Sequence, residues 1–440
     1  MRRKTGKGDV SRMKVQRTGI ALLLVFAVGT VAWAQAPVTL TLLTHYNVGN
    51  PHGAALAEYI AEYEQLNPHV KIDYQFITND MILERLMVGA AAGTIPDMAH
   101  IAGYMLGDLA EAGVIAPMPD GVMEQIGDAY VPGALQLTEY AGRHWGYPTE
   151  YMPRALVYNQ NLFDRVGLPS QSPATWEDLR EYAARLTDTN PDGTSTMGFG
   201  VGLSSAGQMG FGMLFSLAYP SGGRFLSEDG KQAAFNSPAV SEALGFLGEM
   251  VSAGYADARE WLILQMRAAS LAMMIAPGPY WKTEFMAVGP EFYAGMRSGP
   301  VPVAEAGLTP AAAAYGWLFA VTEASPNKDE VYAFLNWLNT DVLPDGTTRM
   351  GNVLAHLGSI PVTVDDLRTQ EIVTDPFMAG FVQAVANNWT FADPVAPGAL
   401  DMYKAIEQAI RDVVVEGNSP NNALIAAEQR VQALLDAVYR

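Results

Sequence analysis

Val38–Leu43 reads VTLTLL, an apolar and β-branched run that ends at Thr44-His45-Tyr46-Asn47. A turn at Gly49-Asn50-Pro51 precedes Ala54–Leu66, where Leu56, Tyr59, Ile60, Tyr63 and Leu66 recur at helical spacing. Val70, Ile72, Tyr74 and Phe76 then alternate as in a strand. Asn79-Asp80 opens a helix through Ala92 that Gly93 ends, and Ile95-Pro96-Asp97 leads into the apolar run Met98–Ile101. The β-α-β-α-β order predicts a parallel sheet with right-handed crossovers. Sites in such sheets lie beyond the carboxyl ends of the strands. Tyr46, Asp80 and His100 fall at or just after those ends. Gly107–Ile115 predicts a further short helix with a Gly stop.

The stretch Trp145–Leu168 (WGYPTEYMPRALVYNQNLFDRVGL) divides the chain. Gly146-Tyr147-Pro148 and Pro153 read as breaks in regular structure, with Thr149, Glu150, Tyr151 and Met152 between them. Arg154–Tyr158 is β-prone, and Asn159–Val166 reads as a short helix closed by Gly167. A second set of strand and helix signals follows, so the stretch predicts a crossing between two α/β lobes, with polar and aromatic residues lining the floor of a cleft. The alternative is an ordinary strand inside one large domain.

Thr175 begins a helix with a T-x-x-D capping arrangement to Asp178. Asp188–Gly193 (DTNPDG) imitates the start of a calcium loop, but Phe199 stands at position twelve, so it reads as a turn. Gly198–Gly223 is glycine-rich without a phosphate-loop pattern and reads as packed strand and helix ends. Ser237-Pro238, Ser325-Pro326 and Ser419-Pro420 read as helix caps. Ala269–Ile275 is a buried strand that delivers Pro277-Gly278-Pro279-Tyr280-Trp281, two adjacent aromatics that core packing alone explains poorly. Ala311–Val321 is strand-like with Gly316-Trp317 inside it, and Asp393–Tyr403 approaches a long helix bearing Ile406, Ile410 and Val414. Trp145 and Trp176 read as packing residues.

Composition narrows the class. A content of 49% hydrophobic and 17% charged residues suits a folded chain, and 440 residues suit two compact lobes. The formal charge of −19 argues against nucleic-acid or anionic-membrane binding. The absence of cysteine removes disulfides, thiol catalysis, Cys-based zinc sites and a lipid-modified N-terminal Cys. Lys14 and Arg17 precede the apolar run Ile20–Val31, and Ala32-Trp33-Ala34 fits a signal-peptide cleavage pattern. The run is short for a bilayer span, the alternative reading. Arg2-Arg3 hints at a twin-arginine signal, and Met13 is an alternative start. Removing residues 1–34, with seven Lys/Arg and one Asp, takes the formal charge from −19 to −25.

Taken in order, AEYEQLNPHVKI, AAGTIPDMAHI, LAEAGVIAPM, GYPTEYMPRALVYNQNLFDRVGL, PATWEDLREYAARL, FNSPAVSEALGFLGEM, SLAMMIAPGPYW, GWLFAVTEASPNKDEVYAFLNWL, GSIPV and SPNNALIAAEQRVQALL span about residues 38–435. This series resembles the extracellular solute-binding proteins of ABC importers, family 1, of the maltose- and glycerol-phosphate-binding type. The resemblance implies an α/β, two-lobed periplasmic-binding-protein fold (type II), each lobe a Rossmann-like sheet with flanking helices, joined by hinge strands. It implies residues 35–147 plus about 312–360 in the first lobe, and 148–311 plus about 361–440 in the second. It places ligand groups at His45, Tyr46, Asn47, Asp80, His100, Glu150, Tyr151, Gly278, Tyr280, Trp281, Gly316, Trp317 and Tyr403, with Gly103 close by. Tyr280 stands where sugar binders of this family tend to place a stacking aromatic.

The implied function is capture of a carbohydrate in the interlobe cleft, by stacking and paired hydrogen bonds, and delivery to permease subunits. The mature chain is expected in the periplasm, monomeric, not an enzyme, without lipid anchor, membrane insertion, cofactor or metal. A phosphorylated polyol is the alternative ligand. It would need a cationic group, for which Arg154 and Arg349 are candidates, whereas Asp393–Tyr403 holds no Arg or Lys. His45 and His100 could instead pair on a metal with Asp80. A secreted glycoside hydrolase using Asp80 and Glu150 is a further alternative. Amino-terminal sequencing of the exported protein is expected to begin at Gln35; a start at Met1 would refute cleavage.

Overall fold

The structure is a computed structural model that describes residues 1, 6, 36–189, 195–205, 207–369 and 371–439. The expected signal segment and most of the DTNPDG turn lie outside the described residues. The flanks of that turn, Asp188-Thr189 and Ser195-Thr196, pair antiparallel.

The alternation of Val38–Thr44 sorts its side chains onto two faces. Leu40 and Leu42 pack against the helices Pro51–Leu66 and Lys328–Asn339, and Leu43 packs with Ile82, Leu86 and Leu106 on the opposite face. Val38–Thr44 pairs in parallel with Val70–Phe76 on one side and Met98–Ala102 on the other. Ala312–Val321 then returns antiparallel to Met98–Ala102. Tyr147–Pro153 lies along the far edge of that return strand, and Thr390–Ala392 runs parallel to its first residues.

The second sheet orders Ala256–Arg259, Ser195–Gly202, Leu271–Ala276, Ala155–Asn159 and Met296–Gly299. Trp176–Leu186, Gln208–Ala218, Pro238–Ser252, Ala399–Val414 and Pro420–Val438 build its larger core. Trp176 stacks on Phe246 with ring centroids 4.9 Å apart. The chain passes between the sheets at Pro153–Ala155, between Gly299 and Ala312, and between Ala392 and Ala399.

Several local expectations are met. Thr175 and Asp178 form the reciprocal capping box, and Asn159 accepts from the Asn161 N–H to open the helix Gln160–Arg165. Others are corrected. Gly146-Tyr147-Pro148 and Pro153 do not bound an irregular crossing, because Tyr147–Pro153 is one continuous strand buried along its length. A strand tolerates two prolines where one side carries little ladder, here a single bridge from Tyr151 to Ile360, and the register slips between Trp317 and Leu318, so that Thr149 is an extra residue in a bulge. Ser237 and Ser419 make no side-chain cap bond, so proline at the first helical turn carries those starts alone. Ser325 donates to Asp97 Oδ1 and accepts from the Asn327 N–H, tying the helix start to the first sheet. The approach Asp393–Tyr403 becomes helical at Ala399, which puts Tyr403 inside a helix.

The helix Gln208–Ala218 has Gly207, without a side chain, at its cap position. Glu407, from a neighbouring helix, accepts from the Ser204 and Gly210 N–H groups instead. Burial pushes the Glu407 carboxyl up to about 7, against the pull of those N–H groups and Arg411. A carboxyl raised by folding favours the fold while protonated. Its contribution is full below its ordinary value of 4.5 and is lost as pH rises to about 7. Relative to Glu407→Gln, the wild type is therefore expected to lose up to about 3 kcal/mol between these limits, read from urea midpoints. A pH-independent difference between the two proteins would refute this account.

Candidate functional site

Two groups of side chains meet where the sheets face each other. The first stands at the carboxyl ends of Val38–Thr44 and Met98–Ala102. Tyr46, fully buried, donates its hydroxyl to Glu150 Oε1 at 2.6 Å. His45 Nε2 lies 3.5 Å from the same oxygen. His45 stacks on Trp317 with centroids 3.8 Å apart and sits 4.7 Å from the His100 ring. His100 is fully buried, with Nε2 at 2.8 Å from Thr149 Oγ1 and Nδ1 at 3.4 Å from Thr44 Oγ1.

The bulge explains why Thr149 and Glu150 both reach this group. One extra residue re-aims consecutive side chains that a regular strand would send to opposite faces. Burial drives the His100 imidazole well below the ordinary histidine range, and His45 and His52 add to the effect. Burial and the Glu150 charge together hold the Tyr46 hydroxyl well above its usual range.

The second group lines a small cavity between the lobes. Gly103, Tyr104, Leu137 and Gly316 come from the first-sheet side, Gln208 and Tyr403 from second-lobe helices, with Tyr315, Asp393 and Val395 between them. Gly316 is required by close approach, since a Cβ there would fall 2.3 Å from the Glu150 carbonyl oxygen. Tyr280 faces Tyr315, their hydroxyls interact, and both feel the charges of Arg154 and Glu150.

Beneath this cavity Arg154 is buried and donates through two nitrogens to Asp393, at 3.0 and 3.1 Å, and to the Gln208 carbonyl at 3.1 Å. Burial lifts the Asp393 carboxyl above its ordinary range, and Arg154 offsets part of that. Gly212 leaves space for the guanidinium, because a Cβ there would lie 1.5 Å from Arg154 Nε.

The sequence-expected residues separate accordingly. His45, Tyr46, His100, Glu150 and Trp317 converge in the first group, and Gly316 and Tyr403 border the cavity. The Tyr403 hydroxyl donates to the Pro394 carbonyl at 2.7 Å. Gly278 sits between Met152 and Tyr280, where a Cβ would lie 3.1–3.2 Å from their side chains and press on both. Four others stand apart. Asn47 accepts from the Gly49 N–H and closes its own turn, and Asp80 is exposed. Tyr151 is buried and donates to Thr390 Oγ1 at 2.6 Å, and Trp281 is buried against Phe285.

Neither arginine expected as an anion contact is free. Arg154 is neutralised by Asp393, and Arg349 lies 3.9 Å over Trp337 and bonds Glu62. Thr149, Tyr104, Gln208 and Tyr315 were not among the expected residues. The neighbours Glu150 and Gly316 signalled Thr149 and Tyr315, whereas Gln208 carried no signal.

Two α/β sheets, three chain passages between them and a lined cavity at their meeting define a two-lobed periplasmic-binding-protein fold. Residues 48–342 match the family described as bacterial extracellular solute-binding protein, and the chain belongs to that family. It is 24% identical over 361 residues to a maltotriose-binding protein of Pyrococcus abyssi, covering 80% of this chain and 73% of the relative. Among solved structures, a cyclic α-maltosyl-1,6-maltose binding protein of Arthrobacter globiformis superposes with a TM-score of 0.76 at 22% identity, covering 91% of this chain and 99% of that one. A binding protein of Mycobacterium tuberculosis in complex with glycerophosphocholine gives 0.73 at 17% identity, covering 92% and 100%.

Asp393→Asn strands the buried Arg154 charge and is expected to cost about 3–5 kcal/mol in urea unfolding. The double change Arg154→Met with Asp393→Leu is expected to cost much less. Equal losses in the two proteins would refute the pairing.

Proposed function

We propose that this chain captures a neutral sugar, oligosaccharide or polyol in the interlobe cleft and hands it to the permease subunits of an ABC importer. One observation carries the choice of ligand. The described residues lining the cavity, which at about 10 Å³ admits a sugar only once the lobes part, are tyrosines, a glutamine, small and apolar groups and one Asp already paired with Arg154, with no Lys or Arg. Tyrosine faces suit sugar C–H surfaces, and hydroxyl and amide groups suit sugar hydroxyls. A phosphorylated polyol needs a cation that this lining does not offer. The maltotriose- and maltose-binding relatives support the same choice.

Tyr280, Tyr315, Tyr104, Gln208 and Tyr403 are assigned to the ligand, with Gly316 providing clearance. Glu150 acts beneath the cleft as the acceptor that fixes Tyr46. The first lobe holds residues 37–153, about 312–360 and the strand Thr390–Ala392. The pairing of Tyr147–Pro153 with the first sheet supports a boundary at 153 in place of 147. Binding closes the lobes about the three passages, and no bond of the ligand is broken. The mature chain acts in the periplasm as a monomer, released by signal cleavage.

Calorimetry against neutral oligosaccharides, polyols and glycerol 3-phosphate tests this reading. At least one neutral carbohydrate is expected to bind, with Tyr280→Ala and Tyr315→Ala each weakening it by about 2 kcal/mol. Binding of the phosphorylated ligand alone, or release of product from an oligosaccharide, would overturn it.

A further inference from the structure

We propose that His45, His100 and Glu150 form a binding site for a first-row divalent transition-metal ion of the zinc class. The site is independent of the sugar reading, since it lies within the first lobe and uses none of the residues assigned to the ligand.

The chain has six histidines, and three of them, His45, His52 and His100, gather around Tyr46 and Glu150. One donor atom from each of His45, His100 and Glu150 lies within 4.8 Å of the other two. Donors on a tetrahedral zinc ion stand about 3.3–3.6 Å apart. The three groups therefore need to draw in by roughly 1 Å to share an ion.

Two features of the group favour a cation. Glu150 is a buried carboxylate, and among the described residues the basic group within ion-pair reach of it is His45, at 3.5 Å. A buried charge without a permanent partner is costly, and a divalent ion supplies one. His45 Nδ1 is itself buried without a hydrogen-bond partner. Lone pairs on His45 and His100 together with a Glu150 oxygen make a two-imidazole, one-carboxylate set. That set suits zinc and its neighbours, whereas calcium and magnesium prefer all-oxygen shells.

The surroundings match what metal ligands require. Thr149 Oγ1 stands 2.8 Å from His100 Nε2, and Tyr46 holds Glu150 at 2.6 Å, so two ligands are already oriented from behind. The His45 side chain keeps 18% of its surface exposed, which gives an ion a way in. The net charge of −19 draws cations toward the chain.

Chelator-stripped full-length protein, titrated with zinc chloride by calorimetry without any sugar, tests the site. One ion per chain is expected to bind and to raise the melting temperature. Cobalt chloride is expected to give the intense visible absorption of a four-coordinate ion. His45→Ala and Glu150→Gln should abolish binding, Thr149→Val should weaken it about 10–100-fold, and His69→Ala should leave it unchanged. Circular dichroism shows whether each variant is folded. The proposal is overturned if the wild type binds no zinc, if folded His45→Ala binds as the wild type does, or if His69→Ala removes binding. Should every site variant fail to fold, the cobalt spectrum of the wild type decides, and a six-coordinate aquo-type spectrum overturns the proposal.

Discussion

The buried pair of Arg154 and Asp393 is the constraint on which the two-lobed arrangement depends. Arg154 follows the last residue of Tyr147–Pro153, where the chain first leaves the first sheet. Asp393 follows Thr390–Ala392, where it leaves for the last time. The Ala313 carbonyl, on the return strand, accepts from the Arg154 backbone N–H, and the Arg154 side chain reaches the start of the helix Gln208–Ala218. Arg154 thus sits in the first passage, bonds the start of the return strand through its backbone N–H and holds the third passage through its guanidinium. Neither charge tolerates loss of the other in so buried a place. The glycine at 212 is the local concession that makes the guanidinium fit.

Around that brace the site divides the work between dry and polar surfaces. Tyr104, Tyr315 and Tyr403 line the cavity between the lobes, Tyr280 interacts with Tyr315, and burial displaces each hydroxyl upward in pKa. They are neutral groups that donate and accept hydrogen bonds. Deeper in the first lobe, Tyr46, His45, His100 and Glu150 form a polar knot made possible by a single extra residue, Thr149. The bulge sits where Pro148 already lacks an N–H, so the irregular step costs the ladder little.

Much of the fold was legible from hydrophobic period alone. Val38–Thr44, Val70–Phe76, Ala312–Val321 and the helices from Trp176, Pro238 and Pro420 follow apolar spacing closely, the first helix with its capping box and the other two with proline at their start. The edge strand was misread because Pro148 and Pro153 are local stop signals, and only the partner strand shows that one edge carries little ladder. At the site, His45, Tyr46, His100, Glu150 and Gly316 were legible as residues at strand ends and at the crossing. Tyr315 shares a strand face with Trp317, and only the position of each along that strand decides that Tyr315 borders the cavity while Trp317 stacks on His45. Gln208 was invisible, since its role comes from a helix brought to the cavity by the second sheet.

By itself the sequence determined the alternating elements, the division near residue 150 and the kinds of side chain available at strand ends. These follow from local periodicity and backbone preference, which act over a few residues. Only the tertiary structure decided which of those side chains meet. Arg154 finds Asp393 across 239 residues, Tyr46 finds Glu150 across 104, and Glu407 caps a helix 197 residues away. Such partnerships depend on sheet order, register, helix packing and one bulge, and a one-residue slip of Tyr147–Pro153 would turn Glu150 to the opposite face.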